Sequence, residues 1–98
     1  MSTLTQAQKR HLRALAHHRK VIVIIGAAGI TDALIEELDA ALARHELVKV
    51  RVNAPDRGAR EAMIMTLLER TSAELVQTIG HIATLYRPAE QRVIKLPS

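Results

Sequence analysis

Apolar residues recur along this chain at two spacings, one typical of helices and one typical of strands. Three segments show the helical spacing, and each follows a residue suited to cap a helix: Thr5, Thr31 and Asp56. Thr5 and Gln8 also match a capping box. The predicted stripes are Gln8, Leu12, Leu15 and Ala16 in the first helix, Leu34, Leu38, Ala41 and Leu42 in the second, and Ala59, Ala62, Met63, Thr66 and Leu67 in the third.

Two strands are predicted between these helices. Val21–Ile25 is an unbroken run of branched apolar residues, which is typical of a central strand buried on both faces beside a parallel neighbour. Val48–Val52 alternates strictly, so its valines should point inward while Lys49 and Arg51 lie on the opposite face. Strand, helix and strand in this order predict a right-handed parallel crossover.

The last third of the chain predicts a hairpin followed by a tail. Glu74–Ile79 and Ile82–Tyr86 read as two strands joined by a two-residue turn at Gly80-His81. Pro88 ends the second strand, and we expect a loosely ordered tail from about Ala89. The fold class is therefore α/β with the order αβαβαββ, in one domain over residues 1–98, with one layer of helices against one sheet.

Charged residues are unevenly distributed along the chain, and the excess of positive charge points to a polyanionic partner. The net charge is +4 and the isoelectric point is about 10.1. The first twenty residues contain no Asp or Glu and five cations: Lys9, Arg10, Arg13, Arg19 and Lys20. The chain has no cysteine, no signal-peptide pattern and no apolar run of membrane-spanning length, so we expect a cytoplasmic protein without a membrane partner.

A Gly-x-x-Gly turn, Gly26-Ala27-Ala28-Gly29, joins the basic helix and first strand to the second helix. Glycines let another backbone approach closely, and the helix that follows offers unpaired N–H groups, so the turn suits a phosphate. It equally suits a plain tight turn. The Gly-Lys-Ser/Thr ending of a P-loop is missing, and Asp32 in the first helical turn already complements the helix dipole.

Catalysis and metal binding find no support in the sequence. The five histidines are scattered over predicted helix surfaces and a turn, and the acidic residues of the second helix read as a solvated face. We therefore predict no enzyme, metal, cofactor or small-molecule substrate. Because Tyr86 is the single aromatic residue, stacking of several bases is excluded, and a nucleic acid should be held by its backbone.

These segments resemble the CRM domain family (chloroplast RNA splicing and ribosome maturation) in its stand-alone bacterial, YhbY-like form. The resemblance is carried by the Leu-Thr start and basic helix, by Gly26 and Gly29 followed by Ile30-Thr31, by the run His45–Val50, and by Leu85–Pro88 with the later Ile-Lys-Leu-Pro. It implies a four-stranded mixed sheet with three helices, similar to the C-terminal domain of translation initiation factor three, and binding to precursors of the large ribosomal subunit.

The resemblance also implies where RNA would bind. These residues are the turn Gly26, Ala27, Ala28 and Gly29, the cations Lys9, Arg10, Arg13, Arg19 and Lys20 as phosphate partners, and Lys49 and Arg51 at lower rank. Relatives often carry a polar or basic residue between the glycines, whereas this turn has two alanines, which leaves contacts from the backbone.

Two functional hypotheses remain open at this stage. The first is a monomeric, non-catalytic assembly factor that binds large-subunit ribosomal RNA by backbone and shape. The second is a protein-interaction module that docks on a ribosomal protein or assembly GTPase through the acidic face around Glu36, Glu37 and Asp39.

Overall fold

Residues 4–97 form three helices and four strands in the predicted αβαβαββ order. The computed structural model describes residues 4–97; residues 1–3 and 98, which the single-domain prediction includes, lie outside the described residues. The elements are α1 (Gln6–Ala16), β1 (Val21–Ile25), α2 (Asp32–His45), β2 (Leu47–Val52), α3 (Arg57–Thr71), β3 (Glu74–Ile79) and β4 (Ile82–Tyr86). Within residues 4–97, no helix is long and apolar enough to cross a membrane.

The helix starts are where the capping residues predict them. The Thr5 side chain accepts from the Gln8 backbone while the Gln8 side chain accepts from the Thr5 backbone, which completes the capping box. Thr31 caps α2 by accepting from the Leu34 amide, and Asp56 caps α3. These local hydrogen bonds satisfy amides that a helix start otherwise leaves unpaired.

The sheet order is β1-β2-β4-β3, so β1 is an edge strand and the prediction of a central strand was wrong. β1 pairs with β2 in parallel, whereas β4 is antiparallel to both of its neighbours. Only one face of β1 is buried: Ile22 and Ile24 are 47% and 58% exposed. An unbroken apolar run indicated burial on both faces, but no helix covers the outer face of this strand.

Helices lie on both faces of the sheet, which corrects the expectation of a single helix layer. α2 and α3 cover one face, where the main core includes Val23, Leu38, Val50, Leu67 and Leu85. α1 covers part of the other face through a smaller core of Leu12, Ala16, Leu47, Val76, Tyr86 and Ile94. Because successive strand residues point to opposite faces, Leu47 and Val48 contribute to different cores.

The buried stripe of α3 also differs from the prediction. Ile64, Leu67 and Thr71 are buried, whereas Ala62 and Thr66 are exposed. Ile64, Leu67 and Thr71 are also three and four residues apart, so the sequence of α3 contains two overlapping stripes. The stripe that packs against the sheet is the one with the larger aliphatic side chains, because its burial removes more apolar surface from water.

The tail after β4 contains no helix or strand as far as residue 97, yet it is firmly attached. Glu46, the single residue between α2 and β2, is fully buried and has a φ of 64°. Its carboxylate accepts from the backbone amides of Ala89, Val93 and Ile94 at 2.7, 2.7 and 2.5 Å. Ile94 in turn is buried in the core beneath α1, so the tail is better anchored than the sequence indicates.

The Glu46 carboxylate is held in its charged form. Burial on its own would raise the pKa, but the three backbone donors and the positive charge of Arg92 outweigh burial, so the pKa lies below its ordinary value of 4.5. The charge is therefore part of the folded structure at neutral pH.

Candidate nucleic-acid interface

The Gly-x-x-Gly turn is closed by one hydrogen bond and leaves two amides open. The Gly29 amide donates to the Gly26 carbonyl at 3.0 Å, and Gly29 has a φ of 72°, a conformation that favours glycine. Ala27 and Ala28 are exposed, and their amides donate to no other residue among 4–97. Of the amides predicted to bind phosphate, those of Ala27 and Ala28 are free to do so.

Neither backbone conformation nor lack of space for a side chain requires a glycine at Gly26. Its φ is not positive, and a Cβ built on it would have no neighbour within 4 Å. A side chain at this position would contact only a molecule that approaches the turn from outside. The turn is therefore open to close backbone contact with a ligand.

Two of the predicted phosphate partners are already engaged within the protein. The Arg19 guanidinium donates to the Leu47 carbonyl at 3.0 Å and to the His45 carbonyl at 3.4 Å. Lys49 Nζ donates to the carbonyls of Ala16 and Arg19, both at 3.1 Å. Both cations lie at helix C-termini, where they satisfy carbonyls and complement the negative end of the dipole. These hydrogen bonds attach the C-terminal end of α1 to the sheet.

The other five predicted cations form no hydrogen bond or ion pair with any residue from 4 to 97. Arg10, Lys20 and Arg51 are exposed, and Lys9 and Arg13 are half-buried. Arg10 and Arg13 line one wall of a groove between α1 and the sheet. Their charges are available to a ligand.

The strand register connects this groove to the glycine turn. Ile24 pairs with Arg51, Arg51 with Ile82, and Ile82 with Ile79, so these four residues form a row across one sheet face. We call this row the open sheet face, because α1 does not bury it. Ile24 lies two residues before Gly26, and Ile79 and Ile82 also line the groove. Turn, row and groove form one surface.

Tyr86 lies in the core beneath α1 and not on this surface. It is 2% exposed, and burial, reinforced by the negative charge of Glu46, raises the pKa of its hydroxyl above 10.0. The single Tyr of a chain without Phe or Trp is therefore unavailable for stacking on a base.

The acidic face of α2 is partly used by the fold. Asp39 forms an ion pair with Arg87 at 2.6 Å, and the same guanidinium donates to the Thr71 carbonyl, which joins α2 to the end of α3. Asp32 pairs with Arg70 at 3.0 Å. Glu36 and Glu37 are left as exposed carboxylates without a described partner, so the surface offered to a protein partner is smaller than the sequence indicates.

Across the described part of the chain, no three histidine or carboxylate side chains come together in a group that could hold a metal ion. The polar groups that do converge around the groove and the turn are cations and open amides, together with the side chains of His17, Gln77 and Thr84. Such an arrangement binds anions.

A known protein family matches most of the chain. The CRS1/YhbY (CRM) domain family matches residues 4–87, and the chain belongs to that family.

Similar proteins span nearly the whole chain. An "RNA-binding protein" of Haemophilus influenzae is 44% identical over 97 residues, covering 99% of this chain and 98% of its own. The Bacillus subtilis protein YqeI, named a probable RNA-binding protein, is 37% identical over 95 residues, covering 96% of this chain and 99% of its own. Neither name is that of an enzyme.

A solved structure supports the fold directly. The solution structure of SAV1595 from Staphylococcus aureus, described as a candidate RNA-binding protein, matches with a TM-score of 0.82 and 40% identity. The match covers 97% of this chain and all of that one. The order of elements and the four-stranded mixed sheet with three helices are therefore confirmed.

Proposed function

We propose that this protein is a non-catalytic RNA-binding factor that holds structured RNA by its phosphates and shape. The observation that carries the proposal is the continuous surface of open amides and unengaged cations from the glycine turn to the α1 groove. The names of its relatives support RNA as the polyanion. Arg19 and Lys49 contribute to the surface by positioning α1 and add to its positive potential.

The proposed partner is ribosomal RNA of the precursor large subunit, with the protein acting as a cytoplasmic assembly factor. This finer assignment rests on the resemblance to the YhbY-like family members. RNA crosslinked to the protein in a cell lysate, recovered and sequenced, should be enriched in large-subunit ribosomal RNA. Recovery of protein partners without RNA would instead favour docking through Glu36 and Glu37.

The salt dependence of affinity tests the mode of binding. If Lys9, Arg10, Arg13, Lys20 and Arg51 each neutralise a phosphate, log affinity should fall with log salt at a slope of roughly −3.5 to −4.5. Arg10→Glu should weaken binding to all RNAs alike and reduce the steepness of that slope by about one. Affinity is measured by fluorescence anisotropy across a salt series.

Lys95→Glu is the matched control, because it changes the net charge equally at an exposed position in the tail. It should leave the slope near that of the wild type. A slope near zero in the wild type, or equal losses in Arg10→Glu and Lys95→Glu, would overturn the proposal that this surface binds phosphates.

A further inference from the structure

An open groove of about 510 Å³ lies between α1 and the open sheet face. Arg10, Arg13 and His17 form the α1 wall, and β3 and β4 form the floor. No Asp or Glu is found among the described residues that line it. This volume falls within the range of roughly 300–1,000 Å³ found for pockets that hold small organic groups.

The floor of the groove carries aliphatic side chains that the core does not need. Ile79 is 65% exposed at the end of β3, and Ile82 beside it is half-buried. Large aliphatic groups left in water next to cations form a surface that a flat apolar molecule with a negative charge would cover. A nucleobase attached to its phosphates has both properties.

A polar group that can distinguish ligands also lines the groove. The Gln77 side chain has no hydrogen-bond partner among residues 4–97, so both its donor and its acceptor are available. An amide of this kind matches the paired donor and acceptor at the edge of a base.

The tail of the chain does not occupy this groove. Leu4 and the tail residues through Leu96 border a different cavity, beside Tyr86. The Gln8 side chain donates to the Pro97 carbonyl at 3.0 Å, which fixes the tail on that side of α1.

We propose that the groove binds one unstacked nucleobase of RNA. The base lies on Ile79 and Ile82 with its edge at Gln77, while Arg10 and Arg13 bind the flanking phosphates. Cations around an apolar floor complement a nucleotide better than they complement an uncharged peptide. The inference rests on the proposed function and adds to it a preference for RNA with an unpaired nucleotide.

Two RNA hairpins that differ by one bulged nucleotide test this preference. The wild type should bind the bulged hairpin more tightly by roughly 5- to 10-fold, the factor expected when one face of a base leaves water. The double variant Gln77→Ala, Ile79→Ser keeps the net charge and should bind both hairpins alike, with the salt slope of the wild type.

Met65→Ser is the matched control, because Met65 is 56% exposed but lies on α3, which packs on the other sheet face. It should keep the preference of the wild type. Thermal unfolding of each variant checks that the fold is intact.

Crosslinking gives a second readout that needs no variant. Trypsin releases residues 71–92 as one peptide, because no Lys or Arg lies between Arg70 and Arg87 and the bond from Arg87 to Pro88 resists trypsin. A photoreactive base at the bulge should crosslink to this peptide.

Each failure has a distinct signature. Equal wild-type affinity for the two hairpins, an unchanged preference in the double variant, or crosslinks elsewhere would overturn the base pocket and leave phosphate binding intact. Absence of binding to either hairpin would overturn the proposed function and this inference with it.

Discussion

The two faces of the sheet are built from the same strands but differ in burial and in charge. The face under α2 and α3 is a continuous apolar core, with Val23, Val50 and Leu85 at most 1% exposed. The other face mixes aliphatic residues with Lys49 and Arg51, and α1 covers only part of it. Stability is therefore concentrated on one face, while the other face keeps charged side chains and an uncovered surface.

Truncation within the two cores should give the largest effects and tests whether the faces differ in stability. Leu38→Ala empties a fully buried site between α2 and the sheet and should cost roughly 2–5 kcal/mol in urea unfolding. Leu12→Ala should act mainly on α1, with faster hydrogen exchange in that helix and weaker RNA binding. Equal global losses and no local change in α1 would contradict the comparison.

The buried carboxylate of Glu46, which holds the tail, should give the next largest effect. Because folding lowers the pKa of Glu46, its stabilisation is present above pH 4.5 and is lost as the pH falls through the lower, folded-state value. Glu46→Gln should reduce stability at pH 7 by roughly 2–4 kcal/mol, since three backbone donors lose a charged acceptor. Its unfolding free energy should also depend less on pH below 4.5.

Glu37→Gln provides the control for this measurement, because Glu37 is exposed on α2, the helix that ends just before Glu46. Urea unfolding at a series of pH values should give it the wild-type profile. If Glu46→Gln and Glu37→Gln had the same profile, the tail would not depend on the buried charge.

Neighbouring residues of β1 give the smallest and most direct test. Val23→Thr places a hydroxyl in the main core and should cost about 1–3 kcal/mol. Ile24→Thr changes a residue that is 58% exposed, so its effect on stability should lie within about 0.5 kcal/mol. Both side chains are β-branched before and after the change, so strand propensity is matched. Similar losses from both would mean that β1 is buried on each face.

The features predicted correctly depend on residues close together in the sequence. Three kinds of feature depend only on residues a few positions apart: the capping residues, the helical stripes in α1 and α2, and the Gly80-His81 turn. The edge position of β1 depends on where β4 inserts and where α1 packs, and neither leaves a pattern in residues 21–25. The stripe of α3 was ambiguous because two sets of apolar residues share its spacing.

The sequence predicted which cations belong to the candidate site, but not which of them form contacts within the protein. Arg19 and Lys49 read as surface cations, but carbonyls distant in sequence lie next to them in the fold. Glu46 gave one local signal, a lone acid between a helix and a strand, which indicates neither its burial nor its three distant donors. Ile79 and Gln77, which line the proposed base pocket, were not predicted because the sequence of β3 does not indicate which sheet face remains uncovered.

The interior place of β4 also bears on the order in which the molecule can be completed. β2 precedes β4 by about thirty residues, and β3, which precedes β4 directly, ends on the far edge of the sheet. While a ribosome extends the chain, β1 and β2 can pair through a parallel crossover, but β2 keeps an unpaired edge until Tyr86 has left the exit tunnel. Closure of the sheet thus waits for the last of its four strands, and a nascent chain stalled before β4 exposes an edge open to wrong pairing.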